Sequence, residues 1–225
     1  MEAAPGIEWV TIKTTLPAYP LPSNDERELV MTNRLILRPF KDDSDDLKAV
    51  HAVRANSEVM HWSAQGRPDK DMDETYNNCF KHLLSPNDTK AFMWAICLVE
   101  SGEMIGLGGN ASASGWQGWP EIGYRLNRKA WGKGYATEFV GAFLDLWWAL
   151  PRQEVTIQVD KNTVYGVEDI KDECISAHVL GDNQAGQGVL QKQSFERVTV
   201  WQDKDFRDCT KTVTLYGWVR RSSTA

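Results

Sequence analysis

A chain of 225 residues, 42% hydrophobic and 25% charged, is globular and long enough to bury a sizeable core. Its net charge of −6 argues against a non-specific hold on nucleic acid, so an anionic ligand must be met by local donors. No apolar run approaches the roughly 18 residues of a membrane helix, and the opening residues lack a basic start followed by an apolar core. No nucleic-acid partner, membrane span or signal peptide is expected. Cys79, Cys97, Cys174 and Cys209 are scattered, without the close pairs of a metal site or a disulfide framework. A reducing, cytoplasmic location is expected.

Residues 1–30 contain Pro5, Pro17, Pro20 and Pro22 and read as an N-terminal extension without regular structure, with Trp9, Val10 and Ile12 able to pin part of it. Residues 31–221 form the domain proper. Residues 35–40 read as a strand. Asp42, Asp43, Asp45 and Asp46 then mark a helix start, where negative charge suits the dipole; the alternative for them is a metal site. Met60, His61, Trp62 and Gln65 precede a second helix over 71–84, and Trp62 reads as core packing or as a ligand contact. Residues 91–99 and 104–109 flank a Glu-Ser-Gly-Glu turn and form a hairpin. Gly106, Gly108 and Gly109 leave room there for another backbone or a ligand. The loop bearing Ser112, Ser114, Gly115, Trp116 and Trp119 is either the flank of a ligand site or a mobile hairpin end.

A strand over 120–126 leads into Arg-Lys-Ala-Trp-Gly-Lys-Gly-Tyr-Ala-Thr-Glu, Arg128 to Glu138. A helix follows, with Ala136, Phe139, Val140, Phe143, Leu144 and Trp147 on one face and Pro151 as its stop. Gly132 and Gly134 let the backbone turn sharply and approach a ligand. The first N–H groups of the helix are unpaired and lie at its positive pole, which suits a phosphate or pyrophosphate. Arg128, Lys129 and Lys133 add charge beside it. Gly134 is followed by Tyr135, which excludes a Walker loop, and two glycines fall short of the dinucleotide fingerprint. Beyond the helix come a strand over 154–159 and a polar insertion over 160–173. The insertion is a solvated excursion, a lid or a dimer contact. A strand over 174–180, a short helix over 187–193 and a hairpin of 198–202 with 210–218 complete the chain.

The run Lys129-Ala130-Trp131-Gly132-Lys133-Gly134 resembles the acetyl-CoA loop of the GNAT superfamily, with Lys129 in place of the usual Gln or Arg. The longer string Trp-Gly-Lys-Gly-Tyr-Ala-Thr-Glu looks like the ribosomal-protein alanine acetyltransferase branch. Arg34 to Phe40 resembles the family's opening strand. Asn183-Gln184-Ala185-Gly186, followed by Lys192-Gln193-Ser194-Phe195, resembles its second cofactor segment, with Gly186 and Ser194 departing from the pattern.

The resemblance implies an α/β (α+β) fold, a mixed, splayed central sheet flanked by helices. It implies an acetyl-CoA-dependent N-acyltransferase without a metal, acting directly on a primary amine: a protein N-terminus or a small molecule. Leu126, Arg128, Lys129, Gly132, Lys133, Gly134, Tyr135, Ala136, Thr137, Asn183 and Lys192 would bind the cofactor. His178 occupies the family's base position, five residues before Asn183, and a neutral imidazole can take a proton near pH 7. Glu121 is the other base candidate. His178 and Glu121 also read as a satisfied core histidine and a strand carboxylate. The family's acid position falls on Leu190, which cannot donate, leaving Tyr124 or an unassisted thiolate. The rival reading is a catalytically decayed CoA-binding protein. Monomer and homodimer are both compatible with the sequence.

Overall fold

The computed structural model describes residues 7–165 and 167–222. In chain order the strands are β1 (Trp9–Pro17), β2 (Val30–Met31), β3 (Leu35–Arg38), β4 (Phe92–Leu98), β5 (Met104–Asn110), β6 (Ile122–Leu126), β7 (Arg152–Asp160), β8 (Ile170–Lys171), β9 (Cys174–Leu180), β10 (Glu196–Asp205) and β11 (Asp208–Arg221). The helices are α1 (Ser44–Arg54), α2 (Ser57–Met60), α3 (Met72–Asn78), α4 (Tyr135–Ala149) and α5 (Gln184–Lys192). Two compact units result: Tyr19–Ala111 with Gly123–Phe143, and the remaining residues.

The first unit holds a five-stranded sheet in the order β2-β3-β4-β5-β6. β2 to β5 pair antiparallel, with Arg38 opposite Ala95 and Phe92 opposite Asn110. Val50 and Val53 of α1 pack with Phe40, Phe80, Ala95 and Leu107 into one core. The aspartates before α1 act structurally. Asp43 accepts from the N–H groups of Asp45 and Asp46, and Asp46 pairs with Arg38. No cluster of three or more His, Cys, Asp or Glu suited to a metal occurs among the described residues. The expected helix over 71–84 is shorter. Asp71 caps α3, and Cys79 breaks out of helical geometry, which turns Phe80 into the core through a short 3-10 turn.

The second unit holds two three-stranded sheets, β7-β1-β8 and β10-β11-β9. The expectation of an irregular N-terminal segment is corrected here. β1 pairs antiparallel with β7 from Trp9 opposite Asp160 to Pro17 opposite Arg152. Ile12, Thr14 and Leu16 are buried in strand alternation, and Pro17 sits at the strand end, where its missing N–H is tolerated. The insertion is also more ordered than a solvated excursion. It begins with a 3-10 turn, Lys161–Thr163, and continues to β8, parallel to β1. Trp119 Nε1 donates to Thr163 Oγ1 at 2.7 Å, both groups buried. Tyr165, Val167 and Ile170 between them are exposed. At its end the buried Glu173 accepts from Trp147 Nε1 at 3.1 Å and pairs with Arg152 at 2.9 Å. Burial still outweighs that pairing and pushes the Glu173 carboxyl up to about 7.

Candidate active site

In the first unit, the loop between β6 and α4 takes the form its glycines allow. Gly132 and Gly134 have φ of 74° and 81°, a region side chains rarely enter. A Cβ on Gly132 would meet nothing within 4 Å, and one on Gly134 only the Arg34 guanidinium at 3.4 Å. Open space therefore lies over both glycines, as a close-lying pyrophosphate requires. Lys129 and Lys133 are exposed beside it.

Sequence reasoning missed the brace that holds this loop. Arg34 Nη1 donates to the Lys133 carbonyl at 2.9 Å, and Arg34 Nε to Glu138 Oε2 at 2.7 Å. Thr32 Oγ1 and the Arg34 N–H both donate to Glu138 Oε1. Glu138 lies in the first turn of α4, where an unpaired carboxylate would repel an anion. These donors neutralise it, and although burial opposes, their hydrogen bonds and the Arg34 charge hold its pKa below the usual carboxylate range. Arg34 also lies 4.8 Å over the Tyr135 ring. Arg128 is drawn into a half-exposed pair with Glu58 at 3.1 Å, a contact weak enough to exchange for a ligand. Leu126 is buried, and its carbonyl accepts from Trp131 Nε1 at 2.8 Å, so its side chain is not displayed. Ala136 and Thr137 lie in the first turn of α4. Tyr124 packs against Phe139, ring centroids 6.3 Å apart, and burial raises its phenol pKa well above the ordinary value.

In the second unit, the two rival base candidates form one pair. His178 Nδ1 lies 2.8 Å from Glu121 Oε1. Glu121 stands just before β6 and bridges Ser176 of β9, two residues from His178. Cys174 and Ser176 are fully buried, whereas His178, farther along the same face, is half-buried. Burial pulls the imidazole pKa down, but the Glu121 charge and hydrogen bond more than reverse this, and it ends above the ordinary value. No partner is present for His178 Nε2 among the described residues.

The loop over 112–119 closes on this pair. A Cβ on Gly115 would meet the Glu121 side chain at 2.6 Å, so only glycine fits. Trp116 lies 5.7 Å from the His178 ring and stacks on Trp201 at 5.8 Å. Gln117, buried opposite Gly217, donates to Thr199 Oγ1, which donates to Asp160. The loop is thus an anchored arm that presents one tryptophan to the histidine. Trp201 was not recognisable as a site residue, because its approach depends on the pairing of β10 with β11.

A family model described as an acetyltransferase (GNAT) domain matches residues 34–196. The chain belongs to the GNAT acetyltransferase family and is an acetyltransferase. Solved structures of the same fold include a GNAT-family acetyltransferase from Bacillus anthracis, with 20% identity, a TM-score of 0.62, and 86% of this chain and 98% of that one covered. A spermidine N-acetyltransferase from Vibrio cholerae in complex with CoA and spermine gives 16%, 0.62, 85% and 98%. The ribosomal-protein-S5-alanine acetyltransferase from Vibrio fischeri gives 14%, 0.58, 88% and 98%.

The two departures in the second GNAT segment have structural reasons or costs. Asn183 caps α5 by accepting from the Gly186 N–H at 2.9 Å. A Cβ on Gly186 would press on that Asn183 side chain at 3.0–3.2 Å, so glycine suits the cap. Ser194 adopts φ 57° at the end of α5, a glycine's conformation. Lys192 is exposed in the last turn, and Leu190, at the expected acid position, is buried in the core.

Proposed function

We propose that the chain moves an acetyl group from acetyl-CoA directly to a primary amine, with His178 as the base and Glu121 as its orienting partner. The observation that carries this reading is the 2.8 Å contact between His178 Nδ1 and Glu121 Oε1. A carboxylate at that distance holds the proton on Nδ1 and leaves the lone pair on Nε2. His178 Nε2 takes the proton from the entering amine, and Glu121 stabilises the imidazolium that forms. The loop N–H groups around Gly132 and Gly134, with Lys129, Lys133 and Arg128 once it leaves Glu58, hold the cofactor phosphates. Asn183 and Lys192 belong to the same proposed cofactor set. Bound acetyl-CoA supplies the thioester carbonyl. The Tyr124 hydroxyl keeps its proton at neutral pH and is the hydrogen-bond donor proposed for the leaving thiolate, which then takes its proton from solvent.

The acceptor amine is a protein N-terminus or a small molecule. A protein N-terminus is favoured by the Trp-Gly-Lys-Gly-Tyr-Ala-Thr-Glu string, and a small amine by the spermine bound in one structural relative. An acceptor screen following free thiol release tests the reading, with acetyl-CoA alone as the blank. Amine-dependent release is expected. Release no faster than the blank across protein N-termini, amino acids, polyamines and arylamines would overturn it.

A further inference from the structure

A hydrogen bond between His178 Nδ1 and Glu121 Oε1 fixes one atom of the imidazole but not the plane of its ring. The terminal torsion of a histidine is broad and roughly two-fold, and a half turn puts a carbon where Nδ1 stood. The ring proton can then sit on Nε2, which removes the lone pair that an entering amine needs. The carboxylate has the same freedom about its own last torsion. A second contact has to hold both groups.

Trp116, half-buried in the same unit, reaches both. Its backbone N–H donates to Glu121 Oε2 at 3.4 Å, the oxygen opposite the one that meets His178. Its ring lies 5.7 Å from the imidazole, with the planes at 49°. Its neighbours leave it little room to move. A Cβ on Gly115 would meet the Glu121 side chain at 2.6 Å, and one on Gly217 would meet Gln117 at 2.8 Å. Gly217 stands opposite His178 of β9 and opposite Thr199 of β10, so Gln117 fills the one place without a side chain in that row across the sheet. Trp201 of β10 supports Trp116, with ring centroids 5.8 Å apart and planes within 29°. Trp201 is buried with its Nε1–H sealed and without an acceptor, a cost that a phenylalanine would avoid. What the indole contributes there is flat area against Trp116.

We infer that Trp116 is a positioning residue for the proposed base: it holds the His178 ring in the orientation that keeps Nδ1 on Glu121 and leaves Nε2 open to the acceptor amine. The contact also strengthens as the proton moves. An imidazolium at this distance is attracted to the electron-rich indole more than a neutral imidazole is, so the contact favours the state in which the proton has been taken. This rests on the reading of His178 as the base.

The test reads the ring itself, by the nitrogen chemical shifts of His178 in the ligand-free chain at a pH above its pKa. The wild type is expected to show one tautomer, with the proton on Nδ1. Trp116→Leu should show exchange of the proton between the two nitrogens, and Trp116→Phe should stay close to the wild type. With a good acceptor, kcat should fall about tenfold in Trp116→Leu and recover for the most part in Trp116→Phe, while KM for the amine and CoA affinity stay near wild type. Trp116→Ala takes the place of the leucine variant if that one does not fold, with the same expectations. A single tautomer with the proton on Nδ1 in the folded variant would overturn the inference, as would a proton on Nε2 in the wild type. So would a loss carried in KM for the amine, which would make Trp116 an acceptor contact, or a phenylalanine variant no better than the leucine one. If the wild type acetylates no amine, or His178→Ala keeps full turnover, the transfer or base reading falls instead. The nitrogen shifts then decide by themselves whether Trp116 holds the tautomer.

Discussion

The glycine loop and the Glu121–His178 pair use the chain in opposite ways. The loop works through backbone: two left-handed glycines, open space above them and a helix N-terminus. Its Lys129 and Lys133 are exposed, and the acidic Glu138 in the first turn of α4 is neutralised by Arg34 and Thr32. The pair works through two side chains in contact, half-buried, in which the Glu121 charge and hydrogen bond raise the proton affinity of His178. A backbone site fails when atoms are added, because a Cβ removes the conformation or the space. A side-chain site fails when atoms are removed, because the partner left behind loses its tautomer and its charge balance.

The largest effect is expected from deleting the imidazole. His178→Ala should lower turnover by about 10²–10⁴-fold while CoA affinity stays near wild type. The pH profile shows what the partner does. The base must be neutral to act, so activity should rise with pH through the His178 pKa, which lies above the usual value of about 6.5. Glu121→Gln removes the charge that raises it, and the acidic limb should move to lower pH. A limb that stays in place in Glu121→Gln would show that another group sets it.

The loop should fail by addition. Gly134→Val puts a branched side chain on a φ of 81° and fills the space over the turn. CoA affinity should fall by at least about tenfold, roughly 1.4 kcal/mol, with the pH profile of the remaining activity unchanged. Unchanged affinity in the folded variant, measured by calorimetry, would remove the loop from the cofactor site.

Glu173 titrates near the range where His178 is read, at about 7, and has to be separated from it. Its folded pKa is raised above the unfolded one, so its contribution to stability is full below about 4.3 and is lost as pH rises towards 7. Glu173→Gln keeps the neutral form throughout. Its melting temperature should therefore fall less than that of the wild type between those two pH values. The acidic limb of activity should stay where His178 puts it. Equal pH slopes in stability would show that Arg152 keeps Glu173 ionised.

The loop was legible in the sequence because all its determinants are neighbours: strand, two glycines, helix. Its brace was not, because Arg34 reaches Glu138 across 104 positions. The proposed base was half legible. His178 and Glu121 were each identified by position, but as rivals, and only the pairing of β9 brings residues 57 apart in sequence together. Among the elements, β4, β5 and the closing hairpin lie close to where alternation put them. β1 was lost because Pro17, Pro20 and Pro22 outweighed the burial pattern of Ile12, Thr14 and Leu16. β8 has two residues and exists only because Lys13 and Thr14 offer it a partner.

The smallest expected effect separates a left-handed residue that shapes a site from one that only ends a helix. Ser194 has φ 57°, close to the values of the loop glycines. Its N–H donates to the Gln191 carbonyl at 3.0 Å, and the Phe195 N–H reaches back to the Leu190 carbonyl at 3.0 Å. Leu190 and Phe195 are both buried, so the hydrogen-bonded reversal carries an apolar side chain into the core on each side of it. This is a helix end that glycine fits without strain, whereas serine carries a penalty of about 1 kcal/mol for its Cβ. Gly132 and Gly134 carry no such penalty, and the space above them is the one proposed for the cofactor. Ser194→Gly should therefore stabilise the chain by up to about 1 kcal/mol, offset in part by the greater freedom of glycine when unfolded. CoA affinity and turnover should not move. A gain in stability with unchanged kinetics confirms that positive φ in α5 serves the fold alone. A change in CoA affinity would instead extend the proposed cofactor site past Lys192 into the turn that follows α5.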